Sequence, residues 1–479
     1  MLEAGVILIV LGLIAGFYMA WSIGANDVAN AMGTSVGSGA LTLTGAVIVA
    51  GIMEFAGAFL VGARVTDTMR KGIVPPEVFA GQPELLVYGM LAALLAAAVW
   101  LQLASYFGWP VSTTHSIVGA IIGFAAVVGG PAAIDWSVVS GIVGSWIITP
   151  FIAAALAYIL FTLILRFIFY SSDPVRAARR ATPVLVFAVF FVMTLVTVFK
   201  GLANLNLDLE AAQAVPIATG VGLFAAVTSW MFVRWRSRKR PLDSTIPGNA
   251  QYRQRLLEKA ARHLRRVQLA STDEQSTREL GHLVRQVKQL ERTARTETDT
   301  RANPELHETY RRVERVFVFL QIISAAFVAF AHGSNDVANA IGPLAAIIDT
   351  VQTGAVHMEA EVHPGVLALG GLGIVIGLAT WGWRVIQTIG QRITELTPSR
   401  GFAAEFAAAT TIVIASRYSM PISTTQTLVG AVLGVGFARG ISALNLNTVR
   451  DIFASWIITI PAGAGLAILF FYTLQLIFG

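Results

Sequence analysis

The stretch PVSTTHSIVGAIIG at 110–123 is written a second time as PISTTQTLVGAVLG at 421–434. Two other motifs repeat with it in the same order: GANDVANAMG (24–33) returns as GSNDVANAIG (333–342), and SWIIT (145–149) returns as SWIIT (455–459). The offsets are 309, 311 and 310 residues, so the chain is an internal duplication. Copy one covers 1–165 and copy two 315–479. Any fold must be built from two like halves, and the segment between them decides whether the halves run in the same or the opposite sense.

Hydropathy answers that question. Apolar stretches long enough to cross a bilayer as helix fall near 6–24, 42–64, 85–107, 110–130, 137–165, 183–199, 212–233, 315–332, 365–383, 402–418, 421–437 and 452–478. With 55% hydrophobic and 13% charged residues over 479 positions, the chain is too apolar for a soluble protein. The stretches are apolar on every face, which excludes the alternation of a membrane barrel and leaves helices. The fold expected is an all-α polytopic membrane protein with about 12 transmembrane segments. Five segments of copy one and two linking segments precede copy two, an odd number, so copy two enters the membrane from the opposite side and the repeats are inverted. If 85–130 and 402–437 are re-entrant hairpins instead of pairs of crossings, the parity is unchanged. The first stretch lacks a basic flank and reads as a retained span. No cysteine is present, so disulfides and thiolate metal sites are excluded.

The charges are segregated. Between Arg234 and Arg315 there are 20 Lys/Arg against 11 Asp/Glu, and the remainder of the chain carries 14 against 17. The expected organisation is therefore repeat one (1–165), two linking helices (166–233), a basic insert (234–314) and repeat two (315–479). Apolar residues at helical spacing in 251–269 and 277–295 predict a helical pair in the insert. A basic loop between spans follows the positive-inside rule, so it needs no nucleic-acid partner. That rule places the insert and the loop with Arg166, Arg176, Arg179 and Arg180 in the cytoplasm and both termini outside; the membrane expected is the plasma membrane.

Inverted repeats of this kind hold substrate near mid-bilayer, where interrupted helices of the two copies meet. An ionised aspartate in hydrocarbon is costly unless it faces a cation, water or a polar partner, and the Gly/Asn-rich surroundings predict a helix break at each motif. Asp27, Asn30, Asp336 and Asn339 are the candidate cation ligands; the plainer reading is that they cap the breaks. In Ser112, Thr113, Thr114 and Ser423, Thr424, Thr425, hydroxyls follow a proline and open a helix. Free N–H groups and a positive dipole end then suit an oxyanion, although Ser/Thr caps alone would produce the same pattern. A cation site beside an anion site suggests symport.

GANDVANAMGTSVGSGALT, PVSTTHSIVG, AHGSNDVANAIGP, LTPSRGFAAEFA and PISTTQTLVG together resemble the inorganic phosphate transporter (PiT) family, whose signature is the duplicated NDVANA motif. The match spans about 165 residues at each end and leaves the insert uncovered. The resemblance implies inorganic phosphate as substrate and coupling to sodium or protons, with sodium preferred because NDVANA resembles the sodium-coupled branch. It also marks Glu54 and Glu405 as transport-linked acids; burial against a helix end or pairing with a base is the alternative.

Proton coupling, transport of sulfate or another oxyanion, and an anion channel are the rival readings. An enzyme would need a nucleophile paired with a base, or a His-ligated metal, and neither pattern appears in the sequence. No cofactor is expected; the partners are phosphate, sodium and the bilayer, with self-assembly into a homo-oligomer left open.

Overall fold

The computed structural model describes residues 2–62, 73–79, 81–201, 210–239, 280–290, 304–357, 362–417 and 422–479, with a few positions between 257 and 268. Among these the protein is all-helical, and its only strand-like pairing is one antiparallel bridge between Thr394 and Leu444. All twelve apolar stretches are helical over most of their described residues, with Pro110, Val111, Ser112, Ile422 and Ser423 preceding the helices that follow them. Repeat one contains α1 (Leu2–Asn26), α2 (Val28–Gly37), α3 (Leu43–Val61), α4 (Pro83–Phe107), α5 (Thr113–Val128) and α6 (Trp136–Ile164). The linking helices are α7 (Pro174–Gly201) and α8 (Ala211–Lys239). Repeat two contains α9 (Pro304–Thr353), α10 (Pro364–Trp381), α11 (Trp383–Gln387), α12 (Pro398–Arg417), α13 (Thr424–Arg439) and α14 (Leu446–Phe478).

Nine helices among the described residues are long and apolar enough to cross a membrane. The remaining three apolar stretches correspond to α5, α12 and α13. At 16 residues each, α5 and α13 are about 24 Å long, short of a hydrocarbon core of about 30 Å. Each follows its partner, α4 or α12, as the second arm of a hairpin. The count of about 12 therefore describes apolar helices better than crossings.

The chain forms two compact units. The smaller comprises Thr162–Ala188 and Leu223–Val318, where Phe169 stacks on Tyr310 and Phe317 at ring-centre distances of 5.5 and 6.5 Å. Of the predicted insert pair, the second helix is present over 280–290, whereas most of 251–269 lies outside the described residues.

The larger unit comprises Met1–Phe161, Val189–Gly222 and Phe319–Gly479 and holds every repeated motif. Here α1 packs on α4 and α10, α3 on α10, α4 on α5, and α12 on α13. The SWIIT helices cross over: α14 of repeat two packs on α5 of repeat one, and α6 of repeat one on α13 of repeat two. Small residues allow the contact. A Cβ at Gly119 or Gly123 of α5 would lie 2.6 Å from the backbone oxygens of Ile460 or Ala464. At the equivalent Gly430 and Gly434 of α13 the distances are 2.4 Å to Pro150 O and 2.1 Å to Ala154 O. This is the small-xxx-small spacing by which membrane helices bring backbones together, and it occurs twice with pseudo-two-fold symmetry. At the base of the α12–α13 hairpin, Glu395 pairs with Arg400 and Arg439 at 3.4 and 3.1 Å. Partial burial would raise its pKa, but the two guanidiniums hold its carboxyl below the usual range.

Candidate functional site

Asp27 sits at the single-residue turn between α1 and α2, in right-handed backbone conformation, and its amide still donates to Ile23 O at 2.7 Å. Its side chain makes no capping bond to α2. It points instead at the two hydroxyl triplets: Thr113 Oγ1 donates to Asp27 Oδ2, and Thr425 Oγ1 donates to Oδ1 at 2.5 Å. The Thr113 amide also approaches Oδ2 at 3.4 Å, which seats the carboxylate on the N-terminus of α5. In repeat two, Thr424 Oγ1 donates to Asp336 Oδ2 at 3.1 Å.

The triplets themselves meet tip to tip. Thr114 Oγ1 donates to Ile422 O at 3.4 Å and Thr425 Oγ1 to Val111 O at 3.3 Å, a reciprocal pair across the pseudo-two-fold. Ser112 and Ser423 are true N-caps, accepting from the amides of His115 at 3.3 Å and Gln426 at 3.2 Å. The plainer reading thus describes the serine hydroxyls, whereas those of Thr113, Thr424 and Thr425 are aimed at carboxylates.

All of these groups are buried: Asp27 and Asp336 are each 1% exposed. Asn339 is buried too, and its Nδ2 has no partner among the described residues. The Asn30 side chain lies outside the described residues.

The second motif departs from expectation. Helix α9 runs unbroken through 333–342, so the interruption expected in both copies occurs only in the first, and there as one turn. The two copies use the asparagine before the aspartate differently. Asn26 Nδ2 donates to Ser105 Oγ and Trp109 O, both at 3.0 Å, and its Oδ1 accepts from the Val111 amide at 3.2 Å, tying the motif to the tip of the α4–α5 hairpin. Asn335 Nδ2 instead donates to the neighbouring Asp336 Oδ1 at 2.8 Å. Glycine and asparagine permit a break, but nothing in the local sequence compels one where the i to i−4 bonds can form.

Sequence reasoning missed His332. It lies one turn before Asp336 on α9, so the two share a face, and its Nε2 comes within 2.6 Å of Asp336 Oδ2. Its Nδ1 faces Glu54 Oε2 of α3 at 3.0 Å. The helices approach closely enough because residue 333 is glycine: a Cβ there would be 2.3 Å from Glu54 O. Repeat one has Ile23 at the equivalent position, so the site's electrostatics are asymmetric although its hydroxyls are not. Glu54 therefore pairs with an imidazole.

Glu405 pairs with no base among the described residues. It accepts from Thr34 Oγ1 at 2.5 Å, Ser35 Oγ at 2.9 Å, Gln321 Nε2 at 3.3 Å and Ser324 Oγ, a cage drawn from both repeats. Trp456 donates from its indole N–H to Pro110 O at the hairpin tip at 3.0 Å.

Two buried carboxylates from opposite repeats, Asp27 and Asp336, offer oxygens within 4.8 Å of each other and of a His332 ring nitrogen, a donor set of the kind that can hold a cation. Two helix starts bearing hydroxyls converge on it. Residues 23–467 match the model of the phosphate transporter family. The chain belongs to that family.

Other comparisons agree with membership of the phosphate transporter family. The chain is 45% identical to inorganic phosphate transporter 2-1, chloroplastic, of Arabidopsis thaliana, over 96% of this chain and 70% of the relative. A solved structure described as the sodium-dependent phosphate transporter superposes with a TM-score of 0.76 at 34% identity, covering 98% of this chain and 99% of that one. The family, the apolar helices and the structural match make this a multi-pass membrane protein.

Proposed function

We propose that this chain imports inorganic phosphate across the plasma membrane by sodium symport, with the two inverted repeats giving alternating access. The observation that carries the reading is the buried centre where Asp27 and Asp336, one from each repeat, lie within 4.8 Å and receive the Thr113, Thr424 and Thr425 hydroxyls. Two carboxylates so close in a water-poor interior favour a bound cation. In this reading sodium is cargo, held by Asp27 and Asp336 with Asn30 and Asn339 beside them. Phosphate then binds against the sodium ions and the N-termini of α5 and α13, using Ser112, Thr113, Thr114, Ser423, Thr424 and Thr425. Family membership favours phosphate, and the solved relative's sodium dependence favours the coupling ion. Glu54 orients His332 toward the centre, and Glu405 ties α12 to α2. The insert faces the cytoplasm and both termini lie outside.

Uptake of labelled phosphate into proteoliposomes, with sodium and proton gradients imposed separately, tests this directly. An inward sodium gradient should drive accumulation against the phosphate gradient, and excess sulfate should not compete. Accumulation under a proton gradient alone would replace sodium with protons; passive equilibration under either gradient would point to a channel.

Two of the three threonines that touch the aspartates provide a finer test. A hydrogen bond to a charged group contributes about 1.5 to 3 kcal/mol, so Thr113→Ala and Thr424→Ala should each weaken sodium-dependent phosphate binding by roughly tenfold or more. Because the two hydroxyls serve one centre, the double variant should deviate from additivity. Wild-type affinity in both single variants, read by equilibrium binding at fixed sodium, would remove the triplets from the site.

A further inference from the structure

The sodium reading leaves one ligand atom at the centre without a role. Nδ1 of His332 lies 3.0 Å from Glu54 Oε2, and an ionised carboxylate only accepts, so Nδ1 carries the hydrogen. That leaves Nε2, which is buried, with the side chain 2% exposed, and pairs with Asp336 Oδ2 at 2.6 Å when the ring is protonated. Oδ2 also accepts from Thr424. A metal ion entering between the imidazole and the carboxylate displaces the Nε2 proton and takes both as ligands.

We propose that Asp27, His332 and Asp336 form a binding site for a first-row divalent cation of the zinc and cobalt class, with Glu54 as the carboxylate that fixes the histidine tautomer. One atom from each of the three residues lies within 4.8 Å of the others. Atoms bound tetrahedrally to one ion at about 2.1 Å stand about 3.4 Å apart, so the cluster closes by a shift of about an ångström. The donor set discriminates between ions. Imidazole nitrogen suits zinc and its neighbours, whereas carboxylate and carbonyl oxygen suit hard cations. Charge agrees: one divalent ion offsets both aspartates, as two sodium ions would. The Glu54–His332 contact is the arrangement in which a metal-binding histidine donates its other N–H to a carboxylate. Repeat one lacks a counterpart to His332, so the site is a single one on the pseudo-two-fold and not a duplicated pair. The proposal rests on the reading that places a cation at Asp27 and Asp336, and adds that a divalent ion and sodium exclude each other there.

The test uses the full chain in lipid nanodiscs, stripped with chelator and titrated with cobalt(II) while visible absorption is recorded. The absence of cysteine means that no thiolate contributes to the signal. One cobalt ion should bind per chain, and zinc should displace it. His332→Ala should raise the cobalt Kd at least tenfold and Glu54→Gln by about 10 to 100-fold. His357→Ala, which alters an exposed histidine beside Asp349, should leave it unchanged. X-ray absorption of the zinc-loaded wild type needs no variant to fold, and should show imidazole in the coordination shell. An all-oxygen shell, binding below one ion per chain, or an unchanged Kd in His332→Ala would overturn the proposal. Sodium-driven uptake measured in chelator separates the two readings: its failure alongside His332-dependent cobalt binding would discard sodium and keep the metal site.

Discussion

Asp27→Asn and Asp336→Asn should each lower sodium-driven phosphate uptake by more than about a hundredfold while leaving the protein folded in the membrane. Removing one partner of a buried charge pair costs about 3 to 5 kcal/mol, and about 2.8 kcal/mol already corresponds to a hundredfold change in binding. Folding should survive because an asparagine still bonds the threonines: at position 27 the amide oxygen accepts from one of Thr113 and Thr425 while Nδ2 donates to the hydroxyl oxygen of the other, and at position 336 the amide oxygen accepts from Thr424. The two variants should differ in one respect. Asp336→Asn also removes the carboxylate facing His332 Nε2, so its thermal stability should fall further than that of Asp27→Asn. Wild-type sodium-driven uptake by either variant would refute the assignment of the cation site.

The second large effect is steric. Gly434→Leu should abolish the yield of monodisperse protein, whereas Gly144→Leu should behave as wild type. Even the Cβ at 434 would lie 2.1 Å from Ala154 O, a backbone atom that cannot move without shifting α6. Overpacking in a well-packed core costs about 1 to 3 kcal/mol when neighbouring side chains can yield, and occasionally more; here only backbone is available to move. Gly144 has no atom within 4 Å of its Cβ position. Size-exclusion profiles in detergent decide the matter: equal monodispersity for the two variants would mean that α13 and α6 do not approach as described.

The duplication and the apolar stretches made much of this architecture legible. The triplets were readable as helix starts because proline followed by Ser/Thr has a local meaning, and the structure has Ser112 and Ser423 capping those starts. Local meaning also misled: Gly and Asn around Asp336 suggested a break that α9 does not have, since permissive residues allow a break without requiring one. His332 was visible as the residue four before Asp336, yet its importance comes from Glu54, 278 positions away. The Glu405 cage joins residues 370 and 371 positions apart. Such meetings are set by which helices pack together, and a single sequence carries no trace of them beyond unexplained polar residues in apolar segments. Asn26 is a similar case, since its bonds to the α4–α5 tip follow from tertiary packing.

The crossing of the SWIIT helices has a consequence for how the molecule comes into being. Helix α5 is complete once residue 128 has been made, yet the surface it buries through Gly119 and Gly123 belongs to Ile460 and Ala464 of α14. Chains are synthesised from the amino terminus at about 5 to 20 residues per second. The first hydroxyl helix therefore waits more than 300 residues, tens of seconds at the slower rates, for its partner to emerge. During that interval α5 is a short polar-tipped helix without its cover from α14, and the synthesis of α14 ends the wait. Truncation anywhere before residue 446 would thus leave repeat one, although fully translated, unable to close. Helix α14 acts as a completion check on the proposed binding centre, whose first residue is laid down at position 27.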